Sequence, residues 1–277
     1  MRVRMAEHLG MCFGVRDAID MALALARRGP VTILGDLVHN EDVVAHLEAA
    51  GAARARSREE VHTSTVLLTA HGTAKRLRLQ LEKDGFDVHD AACPLVTRVH
   101  QALAKLRAEG RHPVIIGQAG HVEVRGLIGD LDEYSVVLCE ADLDQLEGRP
   151  RLGVVAQTTQ PLSTVLELVA AMRRRFPGAD VRFIDTVCQP TKERQQALLD
   201  LAEECDVVVV VGGRDSNNSR KLTELAQRLG RPAYQVASAD ELRPEWFAQA
   251  QVVGLTAGTS TPERIIHEVR ARLEALN

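Results

Sequence analysis

The sequence predicts an α/β protein made of three small domains, each built on a parallel sheet. Three observations carry this. Short, solidly apolar β-branched runs recur along the whole chain, as suits strands covered on both faces. Amphipathic helical patterns separate those runs, which is the βαβ alternation of parallel sheets. Finally, Cys12, Cys93 and Cys188 each stand where a strand or loop gives way to a helix, 81 and 95 residues apart.

Taken in order, Cys12 precedes a helical segment at 15–28, and apolar strands follow at 31–34 and 66–69. Cys93 and Pro94 open a helix at 95–109, followed by strands at 114–117, 136–138 and 152–156. Leu162, Val165, Leu166, Val169 and Met172 fall at i, i+3, i+4, i+7 and i+10, one apolar stripe of the next helix. A strand at 181–184 leads to Cys188 and a helix at 191–204, in which Ala197, Leu198 and Leu201 share a face. Strands at 207–211 and 252–255 follow, and Pro262 stands near the start of a last helix. The three pieces are too dissimilar to read as a sequence repeat. Their common cysteine placement nonetheless predicts domains at 13–94, at 95–187, and at 1–12 together with 188–277, each pointing one thiol at a shared centre at the carboxyl ends of the strands.

Composition narrows the function. Among 277 residues, 34 Lys and Arg against 38 Asp and Glu leave a net charge of −4, with no basic excess to neutralise a nucleic-acid backbone. No apolar run approaches the ~18 residues of a membrane helix, and the first residues lack the apolar stretch of a secretion signal. Five cysteines, an odd number, argue against a disulfide scaffold and for a reducing cytoplasm.

A thiol at a helix N-terminus is favoured as thiolate by the helix dipole, and thiolates bind soft metals and iron–sulfur clusters. Without the paired Cys-x-x-Cys spacing a structural zinc site is disfavoured. Three thiolates on a four-iron cluster leave one iron open to a substrate oxygen; the competing reading is that free cysteines act as small apolar residues. Cys139 and Cys205 fit that second reading and are placed outside the site. His39, His71 and His121 lie just past strands, where they are either structural hydrogen-bonders or donors to an anionic ligand, with Glu123 as a proton source. The other seven histidines lie in helical or exposed contexts and are expected to be solvated. Gly212-Gly213-Arg214-Asp215-Ser216-Asn217-Asn218-Ser219 after 207–211, Gly258-Thr259-Ser260-Thr261 after 252–255, and Gln157-Thr158-Thr159 after 152–156 each read as an N-cap or as a phosphate cradle. None matches a Walker loop or a dinucleotide fingerprint.

In order, Cys12-Phe13-Gly14-Val15, Val38-His39-Asn40, Ala70-His71-Gly72, Asp90-Ala91-Ala92-Cys93-Pro94, Gly120-His121-Val122-Glu123, Gln157-Thr158-Thr159, Asp185-Thr186-Val187-Cys188, Ser216-Asn217-Asn218-Ser219 and Thr256-Ala257-Gly258-Thr259-Ser260 cover nearly the whole chain. The series resembles the 4-hydroxy-3-methylbut-2-enyl diphosphate reductases, the IspH/LytB family of the non-mevalonate isoprenoid pathway. The resemblance implies a pseudo-threefold trefoil of three α/β domains around a 4Fe–4S cluster held by Cys12, Cys93 and Cys188, with one open iron site. It implies that His39, His71, His121, Thr159, Ser216, Asn217, Asn218 and Ser260 hold the substrate diphosphate. Glu123 then delivers the proton and Thr158 stands near the substrate hydroxyl.

The implied chemistry is a two-electron reductive dehydroxylation of the allylic diphosphate to isopentenyl and dimethylallyl diphosphate, with electrons from ferredoxin or flavodoxin, in the cytoplasm, without nucleic acid or membrane. Val122 stands where the family commonly has proline, Asn217 where it has serine, and Ala92 where threonine is frequent. A paralogue acting on another allylic diphosphate or alcohol, and a non-catalytic iron–sulfur sensor, are the alternatives these residues leave open. Glu123 and Thr158 argue against the sensor, which needs neither.

Overall fold

The computed structural model describes residues 1–276. Among them the strands form three parallel four-stranded sheets, and the same order of elements passes three times along the chain. The first pass is β1 (Arg2–Met5), α1 (Phe13–Ala26), β2 (Val31–Leu34), α2 (Glu41–Ala49), β3 (Ala52–Ala55), β4 (Thr65–Leu68) and α3 (Lys75–Lys83). The second is β5 (Asp87–Asp90), α4 (Pro94–Ala108), β6 (His112–Ile116), α5 (Val122–Ile128), β7 (Ser135–Val137), β8 (Arg151–Ala156) and α6 (Leu162–Arg175). The third is β9 (Asp180–Phe183), α7 (Gln189–Glu203), β10 (Val207–Val211), α8 (Asn217–Arg228), β11 (Ala233–Val236), β12 (Val252–Ala257) and α9 (Glu263–Ala275).

The sheet orders are β3-β2-β4-β5, β7-β6-β8-β9 and β1-β12-β10-β11. The first strand of each pass therefore joins the sheet of another pass: β5 adds to the first sheet, β9 to the second, and β1 to the third. The central strands are the apolar runs of the sequence. Edge strands must tolerate solvent and carry charges instead: β1 is Arg-Val-Arg-Met and β5 is Asp-Val-His-Asp. That is why β1, β3 and β5 escape a search for apolar runs; β11, Ala-Tyr-Gln-Val, escapes it because its centre is polar rather than apolar.

The described residues form two compact units, residues 1–16, 38–46 and 189–276, and residues 17–37 and 47–188. In the first, β10 is five consecutive valines, all buried. Val207, Val209 and Val211 pack with Leu255, Ile266, Val269 and Leu273 on one face, while Val208 and Val210 pack with Leu198, Leu201 and Leu222 on the other, as the two-residue period of a strand requires. In the second unit, Val114, Ile116 and Val154 meet Val165, Leu168, Val169 and Met172 of α6, and Ile115 and Val155 meet Leu103 and Leu106 of α4 and Leu127 of α5. The other sheet of this unit packs Val66 and Leu68 on Leu81.

Three local expectations need correction. Leu166 is 49% exposed, and Leu168 takes the buried place beside Val165 and Val169 on α6. Cys139 is exposed at the start of a 3-10 turn, where its thiol reaches the Asp142 carboxylate at 3.4 Å. His100 and His112 are only partly exposed. His100 has a buried Nε2 with no hydrogen-bond partner, beside Gly72, and burial lowers its pKa; His112 bonds the Ser135 hydroxyl at 3.0 Å.

Candidate active site

The sequence-derived residues occupy repeated places at the carboxyl ends of the strands. His71, Thr159 and Ser260 each stand three residues past the end of β4, β8 and β12. His39, His121 and Ser216 each stand five residues past the end of β2, β6 and β10. The cysteines follow β1, β5 and β9, and each donates its backbone N–H to the carbonyl two residues past a strand end. Cys12 reaches Thr259, Cys93 reaches Ala70 and Cys188 reaches Thr158, at 2.9–3.1 Å. This one bond, made three times, fixes each cysteine backbone beside a member of the His71, Thr159, Ser260 set.

In the unit holding residues 47–188, Gly72 adopts φ +77°, and a Cβ on Gly126 would lie 2.7 Å from the Gly72 carbonyl. Only glycine lets α5 approach that closely. The approach sets the rings of His71 and His121 edge-on, 5.7 Å between centroids. His121 caps α5 by accepting the Glu123 N–H on Nδ1 at 3.1 Å, so its ring proton lies on Nε2, a neutral donor. The cap holds the backbone that proline would otherwise stiffen at Val122.

Glu123 is 2% exposed. Its Oε1 accepts the Thr158 N–H at 2.7 Å and its Oε2 lies 2.8 Å from the Thr158 hydroxyl. Desolvation lifts its pKa from an ordinary 4.5 to about 7, against the lowering effect of the two Thr158 bonds. The acid is thus poised to hold or release a proton near neutrality. Thr158 meets Glu123 through its N–H and hydroxyl and Cys188 through its carbonyl. Thr159 is half-buried, its hydroxyl accepting from the Gln157 carboxamide at 3.3 Å.

In the unit holding residues 189–276, Ser216 caps α8 by accepting the Ser219 N–H on its hydroxyl. The Ser219 hydroxyl bonds Ser216 at 3.0 Å and lies where a Cβ on Gly212 or Gly258 would be, 2.0 and 2.1 Å away. Two glycine-flanked loops therefore close around one serine. Ser260 donates to the His39 carbonyl at 3.0 Å and Thr261 to the Val211 carbonyl at 2.9 Å. Asn217 is buried with its carboxamide oxygen on Arg220. Asn218 is buried too, and its Nδ2 has no hydrogen-bond partner. An orphaned buried donor costs ~1–3 kcal/mol, a cost that an anionic ligand accepting from it removes. Ser219, Thr261 and Gln157 extend the candidate set; the Ser-x-x-Ser spacing of residues 216 and 219 is the signal that would have singled out Ser219.

None of the five cysteines is in a disulfide. Cys205 is buried, and desolvation pushes its thiol pKa up, as befits an apolar filler. Cys12, Cys93 and Cys188 are half-buried at equivalent loop ends before helices, a donor set that suits a thiolate-ligated group. Among the described residues no three His, Cys, Asp or Glu side chains cluster around the volume of a single ion. A four-iron cluster is wider than one ion and asks for thiols spaced further apart.

Three parallel sheets with serine, threonine, histidine and asparagine past their carboxyl ends, together with a buried acid, define the chain as an α/β protein whose polar residues gather at strand ends. The model of the LytB protein family matches residues 3–274, and the chain belongs to that family. It is 45% identical over 280 residues to the 4-hydroxy-3-methylbut-2-enyl diphosphate reductase of Methylibium petroleiphilum, covering 99% of this chain and 85% of that protein. It is 38% identical to the one of Chromohalobacter salexigens, over 100% and 90%. Among solved structures, the E-1-hydroxy-2-methyl-but-2-enyl-4-diphosphate reductase from Plasmodium falciparum superposes with a TM-score of 0.92 at 26% identity, covering 98% of this chain and 87% of that one. A structure of (E)-4-hydroxy-3-methyl-but-2-enyl diphosphate reductase, described as the terminal enzyme of the non-mevalonate pathway, matches at 0.70 and 35%, over 99% and 100%.

Proposed function

We propose that the chain is a 4-hydroxy-3-methylbut-2-enyl diphosphate reductase. In the net reaction the allylic alcohol takes two electrons and two protons, the C–O bond breaks, water leaves, and isopentenyl or dimethylallyl diphosphate forms. Cys12, Cys93 and Cys188 would hold a 4Fe–4S cluster, which would supply electrons and Lewis acidity toward the hydroxyl. His39, His71, His121, Thr159, Ser216, Asn217, Asn218 and Ser260 hold the diphosphate, with Ser219 shaping the cradle. Thr158 orients the substrate hydroxyl and the Glu123 carboxyl, and Glu123 delivers a proton. Electrons come from a ferredoxin or flavodoxin in the cytoplasm. Domain boundaries at 13–94, 95–187, and 1–12 with 188–277 belong to the same reading; β2–β5, β6–β9, and β1 with β10–β12 fall within them. Among the described residues no helix is long and apolar enough to cross a membrane.

One observation carries the catalytic reading: a buried acid with a pKa near 7 whose hydrogen-bond partner, Thr158, also receives the Cys188 N–H. An iron–sulfur sensor has no use for such an acid. The test is anaerobic purification and assay with the hydroxymethylbutenyl diphosphate and a reduced viologen. Conversion to both five-carbon diphosphates is the expected result. A brown protein that leaves this substrate untouched would refute the substrate, and a colourless one would refute the cluster.

A further inference from the structure

We propose that Arg194 is a positioning residue for two of the cysteines: its guanidinium binds the turn leading into Cys12 to the opening turn of the helix that follows Cys188. The inference rests on the reading of Cys12 and Cys188 as cluster ligands. Arg194 lies on α7 and is 6% exposed. Its Nε and Nη2 donate to the Gly10 carbonyl, and its Nη1 donates to the Pro190 carbonyl at 2.8 Å. One planar group thus holds carbonyls two residues before Cys12 and two residues after Cys188.

The position is unusual within the threefold pattern. Six residues past Cys12 and Cys93 stand Ala18 and Val99, both buried and apolar; six residues past Cys188 stands an arginine. Arg194 falls on the same stripe as Ala197, Leu198 and Leu201, all buried, where an alkyl side chain would normally pack. Burying a guanidinium there is costly unless its donors are satisfied.

The length of the Cys12 loop supplies a reason. Two residues separate β5 from Cys93 and four separate β9 from Cys188, but six separate β1 from Cys12. The longer approach has more freedom to lose, and Gly10 is where it is tied down. Gly10 has φ +78°, its N–H goes to the Ala257 carbonyl at 3.2 Å, and a Cβ there would lie 2.8 Å from Ile266 Cδ1. With its N–H on β12 and its carbonyl on Arg194, the Gly10 turn has one orientation, and Cys12 follows two residues later. A lysine ammonium cannot reproduce a fork that spans both carbonyls.

The test compares Arg194→Met, Arg194→Lys and Val269→Ala, the last a cavity variant in the core beneath the same sheet, all in the anaerobic cluster-loaded protein. Iron release to a chelator and the electron paramagnetic resonance spectrum of the reduced cluster are recorded with the thermal midpoint. Arg194→Met is expected to release iron at least tenfold faster and to alter the spectrum, with Arg194→Lys intermediate. Val269→Ala is expected to lower the midpoint while keeping the wild-type release rate and spectrum. Wild-type release and spectrum in both Arg194 variants would overturn the proposal, as would equal acceleration by Val269→Ala. Should Arg194→Met fail to fold, Arg194→Lys keeps the charge and stem and decides alone. A wild-type protein that takes up no cluster would refute the ligand assignment itself.

Discussion

Glu123→Gln mimics the protonated acid. The carboxamide oxygen accepts the Thr158 N–H as Oε1 does, and the carboxamide NH2 donates to the Thr158 hydroxyl, reversing the bond at Oε2. The variant therefore keeps both contacts and loses only the ability to ionise. In the wild type, folding raises the acid's pKa from 4.5 to about 7, so the folded state binds the proton more tightly than the unfolded one. Stability from this group is fully present below pH 4.5, declines as pH rises, and levels off above about 7. At ~1.36 kcal/mol per pH unit the total is on the order of 3 kcal/mol. Glutamine carries no such dependence, so the variant should gain on the wild type by that order between pH 4.5 and 8. Two measurements check this: urea unfolding of both proteins across the pH range, and difference infrared spectroscopy for the C=O stretch of a protonated carboxyl, absent in the variant. Turnover should fall by about 100-fold with cluster and substrate affinity kept, the scale of losing a general acid. Parallel stability curves, with no carboxyl band at pH 6, would show that Glu123 is ionised when folded and would refute the assignment of its proton to catalysis.

Changing Cys12, Cys93 or Cys188 to Ser should sharply lower iron and acid-labile sulfide in anaerobic protein, while Cys139→Ser and Cys205→Ser keep both near wild type. By titration calorimetry, His39→Ala or Ser260→Ala should weaken binding of the substrate diphosphate by about tenfold or more, since a charged hydrogen bond is worth ~1.5–3 kcal/mol; unchanged affinity in both would remove them from the anion site. Gly258→Ala places a Cβ 2.1 Å from the Ser219 hydroxyl and should cost about 1–3 kcal/mol in urea unfolding. Adding Ser219→Ala should recover much of that loss, and simple additivity in the double variant would show that the two residues do not compete for one space.

What could be read in the sequence followed burial. All six central strands are apolar enough to stand out, as the five valines of β10 show. Arg-Val-Arg-Met and Ala-Ala-Arg-Ala look like loops until a neighbouring strand supplies their pairing. The cysteine spacing revealed the threefold plan without any strand count, because a helix-start thiol is a local signal. Arg194 was legible in principle, as a charge on an apolar stripe, but helical periodicity alone reads such a residue as a surface interruption. Leu166 shows the converse error: a leucine at stripe spacing that faces solvent. The closure of Gly212 and Gly258 on Ser219 joins segments about forty residues apart, and no local pattern announces it.

The rotation of edge strands has a consequence for synthesis on the ribosome. Arg2 pairs with Val252 and Met5 with Leu255, so β1 waits for a strand that follows it by about 250 residues. Such pairing across the full sequence is entropically remote and slow. Until β12 is released, β1 is a short exposed segment whose alternating arginines discourage it from pairing with other nascent chains. The same closure predicts that the chain tolerates being reopened elsewhere. A circular permutant that joins the present ends and begins between α6 and β9 would keep every strand neighbour, make the β1–β12 pairing near-local but leave β8–β9 as the remote pair in its place, and so fold at a rate close to that of the natural order.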